Sequence, residues 1–240
     1  MDRSEPELNP RGGMQESLSY TLARFFPFWY KLTPGQQRRL AGYCTVRQVR
    51  AGENLDAQAS GGGLFFVSVG AIRAYMLSSH GREVTICRRS GGQPGAVSPV
   101  SESRPENVVP VLQAEEDSTL VCISGAVLHH AMQEFPDLQE FSRRVTADCA
   151  QEVVNAFFSF AFLPLQARLA RILLDRLRAE GPQTRAIRIT HEMLASAAGT
   201  SREVATRTLG RMQADGIVRT GRSHIEILDM ARLEALALGE

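Results

Sequence analysis

The amino-acid sequence predicts an α+β chain in three parts: a β-barrel or sandwich, one long helix, and a winged helix-turn-helix. Three observations carry that expectation. Between about 45 and 125 short apolar runs are cut by glycines, as in FFVSVGAIRAYML (65–77) and STLVCIS (118–124). Short strands joined by Gly-rich turns build sandwiches and barrels. Over 137–163, Leu138, Phe141, Val145, Cys149, Val153, Phe157 and Phe160 recur by threes and fours, which is helical periodicity. Toward the carboxyl end a helical pattern, a glycine, a second helical pattern and two short strand-like runs succeed one another, the order of a winged helix-turn-helix.

The remaining elements fall between these. LTPGQQRRLAGY (32–43) reads as a short helix with Pro34 near its start. EVTICRR (83–89) alternates as a strand, and SSHGR (78–82) joins it to the preceding run as a hairpin. Residues 90–110 hold few formers of regular structure and read as a long loop or a distorted pair of strands. Pro164 interrupts the long helical pattern, which puts a kink or boundary there. LQARLARILLDRLRAE (165–180) is a further helix, ended by Gly181-Pro182. RAIRIT (185–190) is strand-like and HEMLASAA (191–198) helical. IVRTGRSHIEIL (217–228) gives two short strands around a Gly-Arg turn, and 229–238 closes as a helix. The expected organisation is a disordered tail over 1–20, a β-barrel sensing domain over 21–134, a dimerisation helix over 135–163 and the winged helix-turn-helix over 164–240. An apolar stripe lasting the whole of the long helix is more than a small barrel can cover. Pairing with the same helix of a second subunit would cover it and make a homodimer.

Composition narrows the function classes. The 240 residues carry a net charge of only +1, so affinity for a polyanion must come from a local patch. No apolar run approaches the ~18 residues that a bilayer span needs. MDRSEPELNPRGG at the amino end has neither an apolar core nor a cleavage pattern, so a cytoplasmic protein without a membrane partner is expected. Cys44, Cys87, Cys122 and Cys149 are far apart and form no C-x-x-C, so no metal site is expected. There is no G-x-S-x-G, H-E-x-x-H or P-loop, and no catalytic residue is assigned: the chain does not read as an enzyme.

The stretch GTSREVATRTLGRM (199–212) carries the functional signal. Arg202 and Thr206 are neighbours on a helix, as are Glu203 and Arg207, while Ala205, Leu209 and Met212 recur at i, i+4, i+7 on another side. Thr200 or Ser201 can cap this helix. Ala195 lets the preceding helix approach, and Gly199 permits the turn. Duplex DNA suits such a surface, because arginine pairs bidentately with guanine and glutamate accepts from cytosine. A helix that met phosphates alone would be repelled at Glu203. The competing reading is a solvated face stitched by i,i+4 ion pairs.

On these residues the chain resembles the CRP/FNR transcription regulators. ITHEMLASAAGTSREVATRTLGRMQADGIV (189–218) matches that family's helix-turn-helix signature closely. FAFLPLQARLARILLDRL (160–177) resembles the end of its dimer helix and the first helix of its DNA-binding domain. RAGENLDAQ, GGLFFVSVGAIRAYM and HGREVTI match its barrel more loosely. The resemblance implies a jelly-roll, cyclic-nucleotide-binding-like barrel, a homodimer, and double-stranded DNA with an inverted-repeat operator as partner. RNA polymerase would be a further partner. It implies that Arg202, Glu203 and Arg207 read bases and that Ser201 and Thr190 touch phosphates. Thr200, Thr206 and Arg211 complete the surface. Pro164 is then the hinge between sensor and reading head.

The resemblance breaks at the cyclic-nucleotide pocket. Its Gly-Glu pair falls on Gly95-Ala96, its Arg-Ser pair on Val108-Val109, and its helix hydroxyls on Val153-Val154. Gly95, Ala96, Val97, Val108, Val109, Cys149, Val153 and Val154 therefore outline a pocket that lacks the partners of a cyclic phosphate. Arg104 is the only arginine of that loop, and an unpaired phosphate among valines is disfavoured. The expectation is an effector-gated regulator that does not bind cyclic AMP. Its effector would be an apolar small molecule, or a haem with NO or CO as in a gas or redox sensor. His80, His129 and His130 are the histidines available for haem, His191 and His224 falling in the DNA-binding part. A cyclic-nucleotide-binding module serving another activity is the remote alternative.

Overall fold

A computed structural model of the chain describes residues 10–55, 62–77, 83–97, 110–180 and 184–239, the side chains of 10–17 and 179–180 excepted. In chain order the elements are α1 (Pro10–Phe25), a 3-10 turn (Trp29–Lys31), α2 (Pro34–Gly42), β1 (Thr45–Val49), β2 (Asn54–Leu55), β3 (Gly63–Val69), β4 (Ala71–Leu77), β5 (Glu83–Ser90), β6 (Pro94–Val97), β7 (Val111–Ala114) and β8 (Ser118–Ser124). Then come α3 (Gly125–Glu134), α4 (Pro136–Phe162), α5 (Leu165–Glu180), β9 (Ala186–Arg188), α6 (His191–Ala197), α7 (Arg202–Ala214), β10 (Val218–Thr220), β11 (His224–Ile227) and α8 (Met230–Leu238). The strands form sheets of order β1-β8-β3-β6, β2-β7-β4-β5 and β10-β11-β9.

Two elements differ from the sequence reading. A helix, α1, runs through Pro10–Phe25, where the tail over 1–20 was expected to lack structure. Its polar first half, with Gly12 and Gly13, shows no apolar period that would announce a helix. The run 65–77 also splits at Gly70, whose φ of +91° suits glycine alone and whose missing Cβ leaves room for Ser118.

Two compact units emerge: residues 1–72, 89–101 and 114–148 in one, and 73–88, 102–113 and 149–240 in the other. The first has β3 at its centre. Leu64, Phe65, Phe66 and Val67 are consecutive and all buried, so both faces of this strand are covered. On one side the Phe66 ring lies 4.8 Å from Phe25, 5.0 Å from Phe26 and 5.9 Å from Phe141. On the other, Phe65 lies against Gly95, its partner across β6, where an added Cβ would run into the ring.

The second unit is organised by α5. Leu169, Leu173 and Leu177 form a helical stripe that is buried together with Ile187, Leu194, Leu209, Met212, Ile225, Ile227 and Leu233. Every element from α5 to α8 thus contributes to one core. Truncating the centre of the first core tests its role: Phe66→Ala should cost about 3–5 kcal/mol, read from the denaturant unfolding midpoint.

Candidate nucleic-acid interface

α6, a tight turn and α7 form the site. Thr190 caps α6, its hydroxyl accepting from the Met193 N–H at 3.1 Å. Ala198 N–H and Thr200 N–H then bond back to the carbonyls of Leu194 and Ala195 at 2.9 Å each, closing the turn. Gly199 holds the left-handed conformation this closure needs, with φ +62°. Ser201 caps α7, accepting from Val204 N–H at 3.4 Å. Ala195 and Ala205 are buried, and these small side chains let the two helices approach.

The burial of Ala205, Leu209 and Met212 orients α7. It leaves Ser201, Arg202, Glu203, Thr206, Arg207 and Arg211 exposed, with Thr190 and Thr200 half-buried. Of the eight residues singled out on this segment, six are thus exposed and two half-buried. Glu203 sits in the first helical turn, where its own backbone N–H and then the Ser201 hydroxyl hold its carboxyl below the usual range. It remains ionised at any pH at which DNA binding would be measured. Among the described residues neither Arg202 nor Arg207 is ion-paired with Glu203, unlike Arg143 and Arg144 on Glu140 of α4. Arg202 acts on Glu203 only as a weaker Coulombic attraction, after the two hydrogen bonds.

Two further features were not singled out from sequence. His191 Nδ1 lies 2.9 Å from Thr206 Oγ1, linking the first residue of α6 to the exposed face of α7. The β10–β11 wing is tied to α7 by Gln213, whose Oε1 accepts from Thr220 N–H at 2.9 Å and from its hydroxyl at 2.7 Å. Arg219 pairs with Glu226 across the wing at 3.0 Å, while Arg222 at its tip is exposed. The wing's Gly-Arg turn was visible in the sequence; the cross-chain bonds were not.

The residues expected to outline an effector pocket do not all converge. Ala96 and Val97 line a cavity of about 200 Å³ in the first unit, with Leu64, Leu128, His129, Met132, Ser142 and Thr146 among its other walls. Gly95 instead seats Phe65. Val153 and Val154 are exposed at 48% and 57%, and Cys149 is half-buried. Val108, Val109, Arg104 and His80 lie outside the described residues. Among the described residues no group of His, Cys, Asp and Glu could hold a metal ion. Burial pushes the Cys44 thiol up to about 12, and its neighbour Cys122 adds to this, so Cys44 is a poor nucleophile. No helix among the described residues is long and apolar enough to cross a membrane.

A capped helix pair with a glycine turn, one buried stripe, an arginine-rich exposed face and a two-stranded wing define a DNA-binding helix-turn-helix protein. Comparison with known proteins specifies which. Residues 167–236 match the Crp-like helix-turn-helix domain. The chain is 27% identical over 217 residues to the cyclic AMP receptor protein of Thermus thermophilus, covering 89% of this chain and 97% of that one. Its fold matches that of a CRP/FNR-family transcriptional regulator from Eubacterium rectale with a TM-score of 0.73 and 28% identity, over 89% of this chain and 99% of the other. FixK2 of Bradyrhizobium japonicum shares the fold at a TM-score of 0.65 and 20% identity, over 80% and 96% of the two chains. Over most of its length the chain is thus similar to transcription regulators of the CRP/FNR family, and its carboxyl part matches their helix-turn-helix domain.

Proposed function

We propose that this chain is a homodimeric, effector-gated regulator that reads an inverted-repeat operator through α7 and does not respond to cyclic AMP. The observation that carries the DNA reading is the exposed, mutually unpaired set Arg202, Glu203 and Arg207 on a capped helix. Arg202 and Arg207 suit guanine edges, and Glu203 accepts from a cytosine amine. Thr190 and Ser201 already accept backbone bonds as caps. The Thr190 hydroxyl keeps a proton it can donate to a phosphate oxygen, which positions the helix without specifying sequence, whereas the Ser201 proton goes to the Glu203 carboxylate until a phosphate competes for it.

The dimer reading rests on α4. Its first half is taken into the core at Leu138, Ser142 and Val145. Beyond Cys149 most of its apolar residues are exposed, Phe157 at 67% and Phe162 at 69% among them. Ala150, Val154, Phe157 and Ala161 are all exposed and succeed one another at steps of four, three and four, the seam of a two-stranded coiled coil. Two α7 helices related by that two-fold would meet half-sites about one helical turn apart.

The cavity at Ala96 and Val97 supports a small effector without a phosphate. Among its described walls His129 is the one titratable group, and neither arginine nor lysine is present. Among these described walls only His129 could offset an anion. Its described part measures about 200 Å³, which suits a small molecule. Kinship with a protein named for cyclic AMP indicates fold and family, whereas the ligand is set by the pocket residues.

Three measurements test this reading. Arg202→Ala and Arg207→Ala should each weaken binding to a selected duplex by about 1–3 kcal/mol and relax one base position. Equal losses on random DNA would reduce the residue to a phosphate contact. Phe157→Glu should turn a dimer into a monomer by sedimentation while leaving the monomer's fold intact; an unchanged dimer would move the interface elsewhere. Calorimetric titration with cyclic AMP at micromolar concentrations should give no binding heat, and a saturable isotherm would reverse the conclusion about the effector.

A further inference from the structure

One polar cluster has no part in DNA contact, yet it grips the helix-turn-helix. Arg73 on β4 and Glu83 on β5 belong to the same compact unit as α6 and α7. They form an ion pair at 2.8 Å in which the Arg73 side chain is only 15% exposed. Ser196 of α6 completes a triangle: Arg73 Nη1 donates to Ser196 Oγ at 3.1 Å, and that hydroxyl donates to Glu83 Oε2 at 3.1 Å. Gln113 Oε1 accepts from the other side of the guanidinium, at 3.0 Å from Nε and 2.6 Å from Nη2. The Tyr75 ring lies 4.3 Å beneath it. Only a planar, five-donor fork can serve carboxylate, hydroxyl and amide at once.

The grip extends to the turn itself. A Cβ on Gly199 would come within 2.6 Å of the Phe160 ring and 3.1 Å of Val84 Cγ2. Phe160 from α4 and Val84 from β5 therefore rest on the turn three residues beyond Ser196. An ion pair that merely stiffened the hairpin would need Arg73 and Glu83 alone. The third partner sits on α6, which shares its core with α7 through Leu194, Ala198, Leu209 and Met212. Such packed helices move as one body, so a pull at Ser196 is felt at Arg202 and Arg207.

We propose that the Arg73–Glu83–Ser196 clasp, seated beside the Val84–Phe160 contact on Gly199, is a regulatory restraint on the helix-turn-helix. It couples the pose of α7 to the β4–β5 hairpin, and its opening is the conformational step that changes affinity for DNA. Charge-assisted bonds shielded from water have the strength for this. A restraint of this kind gates an equilibrium because it is made in one pose and lost in another. The proposal rests on the DNA-binding reading above.

Ser196→Ala is the informative variant, since it cuts the link to α6 while Arg73 and Glu83 stay paired. The neutral pair Arg73→Gln with Glu83→Gln cuts it from the other side. The probe is the duplex that the unaltered chain selects from a random-sequence pool, and the second readout is hydrogen exchange over 191–199. Ser196→Ala should speed exchange there and change affinity for the duplex by roughly five- to tenfold. The neutral pair should do the same in the same direction, and the triple variant should be no worse than either, as for groups in one network. Unchanged exchange overturns the clasp, and faster exchange with unchanged affinity overturns its regulatory role. Failure of the unaltered chain to select any duplex would refute the DNA reading instead, with hydrogen exchange still judging the clasp.

Discussion

The exposed arginine face of α7 exists because the helix gives up its other side. Leu209 and Met212 are drawn into the core that the leucine stripe of α5 organises, Ala205 is buried as well, and this burial sets which way Arg202 and Arg207 point. Burial of apolar area is non-directional, but a helix period of 3.6 converts it into an orientation. Once three positions are inside, the arginines have no course but outward. The caps at Thr190 and Ser201 and the closure at Gly199 then set where each helix begins, and hence which turn of α7 is presented.

The same logic accounts for the bare half of α4. The helix is longer than the core available to it, so Val145 is buried while Phe157 and Phe162 are not. A long apolar stripe that one chain covers for only part of its length is an interface in waiting. Pro164 lies between the end of α4 and the start of α5, where proline's missing N–H breaks no helical bond. Phe160 rests on Gly199 and lies 5.0 Å from the guanidinium of Arg168 on α5. The end of α4, the first helix after it and the turn before α7 are thus in direct contact, so a change in α4 has a short path to the reading head.

The features legible in the sequence arise from short-range physics. Helical period, hydroxyl caps, a glycine at a turn and strand alternation act over a few residues. The boundaries of α2, α4, α5, α6 and β8 accordingly fall within a residue or two of those read from pattern. The exposed reading residues were equally legible, because the i, i+4, i+7 spacing of the buried ones determines their placement. α1 was not, since its first half has no apolar stripe in the sequence, although its end is anchored in a core at Leu22 and Phe25.

The tertiary structure alone decided the rest. The clasp joins residues 113 and 123 positions apart, and no local pattern ties Ser196 to Arg73 or Glu83. Nor could the sequence tell that Gly199 serves packing as well as backbone conformation, because Phe160 and Val84 reach it only through the fold. The split among the pocket residues has the same origin: Ala96 and Val97 face a cavity while Val153 and Val154 face outward. Spacing determined a helix-turn-helix whose second helix exposes an arginine-rich face. Which distant side chains meet that helix pair, and where the first unit is hollow, was decided by long-range packing, where contact depends on the path of the whole chain.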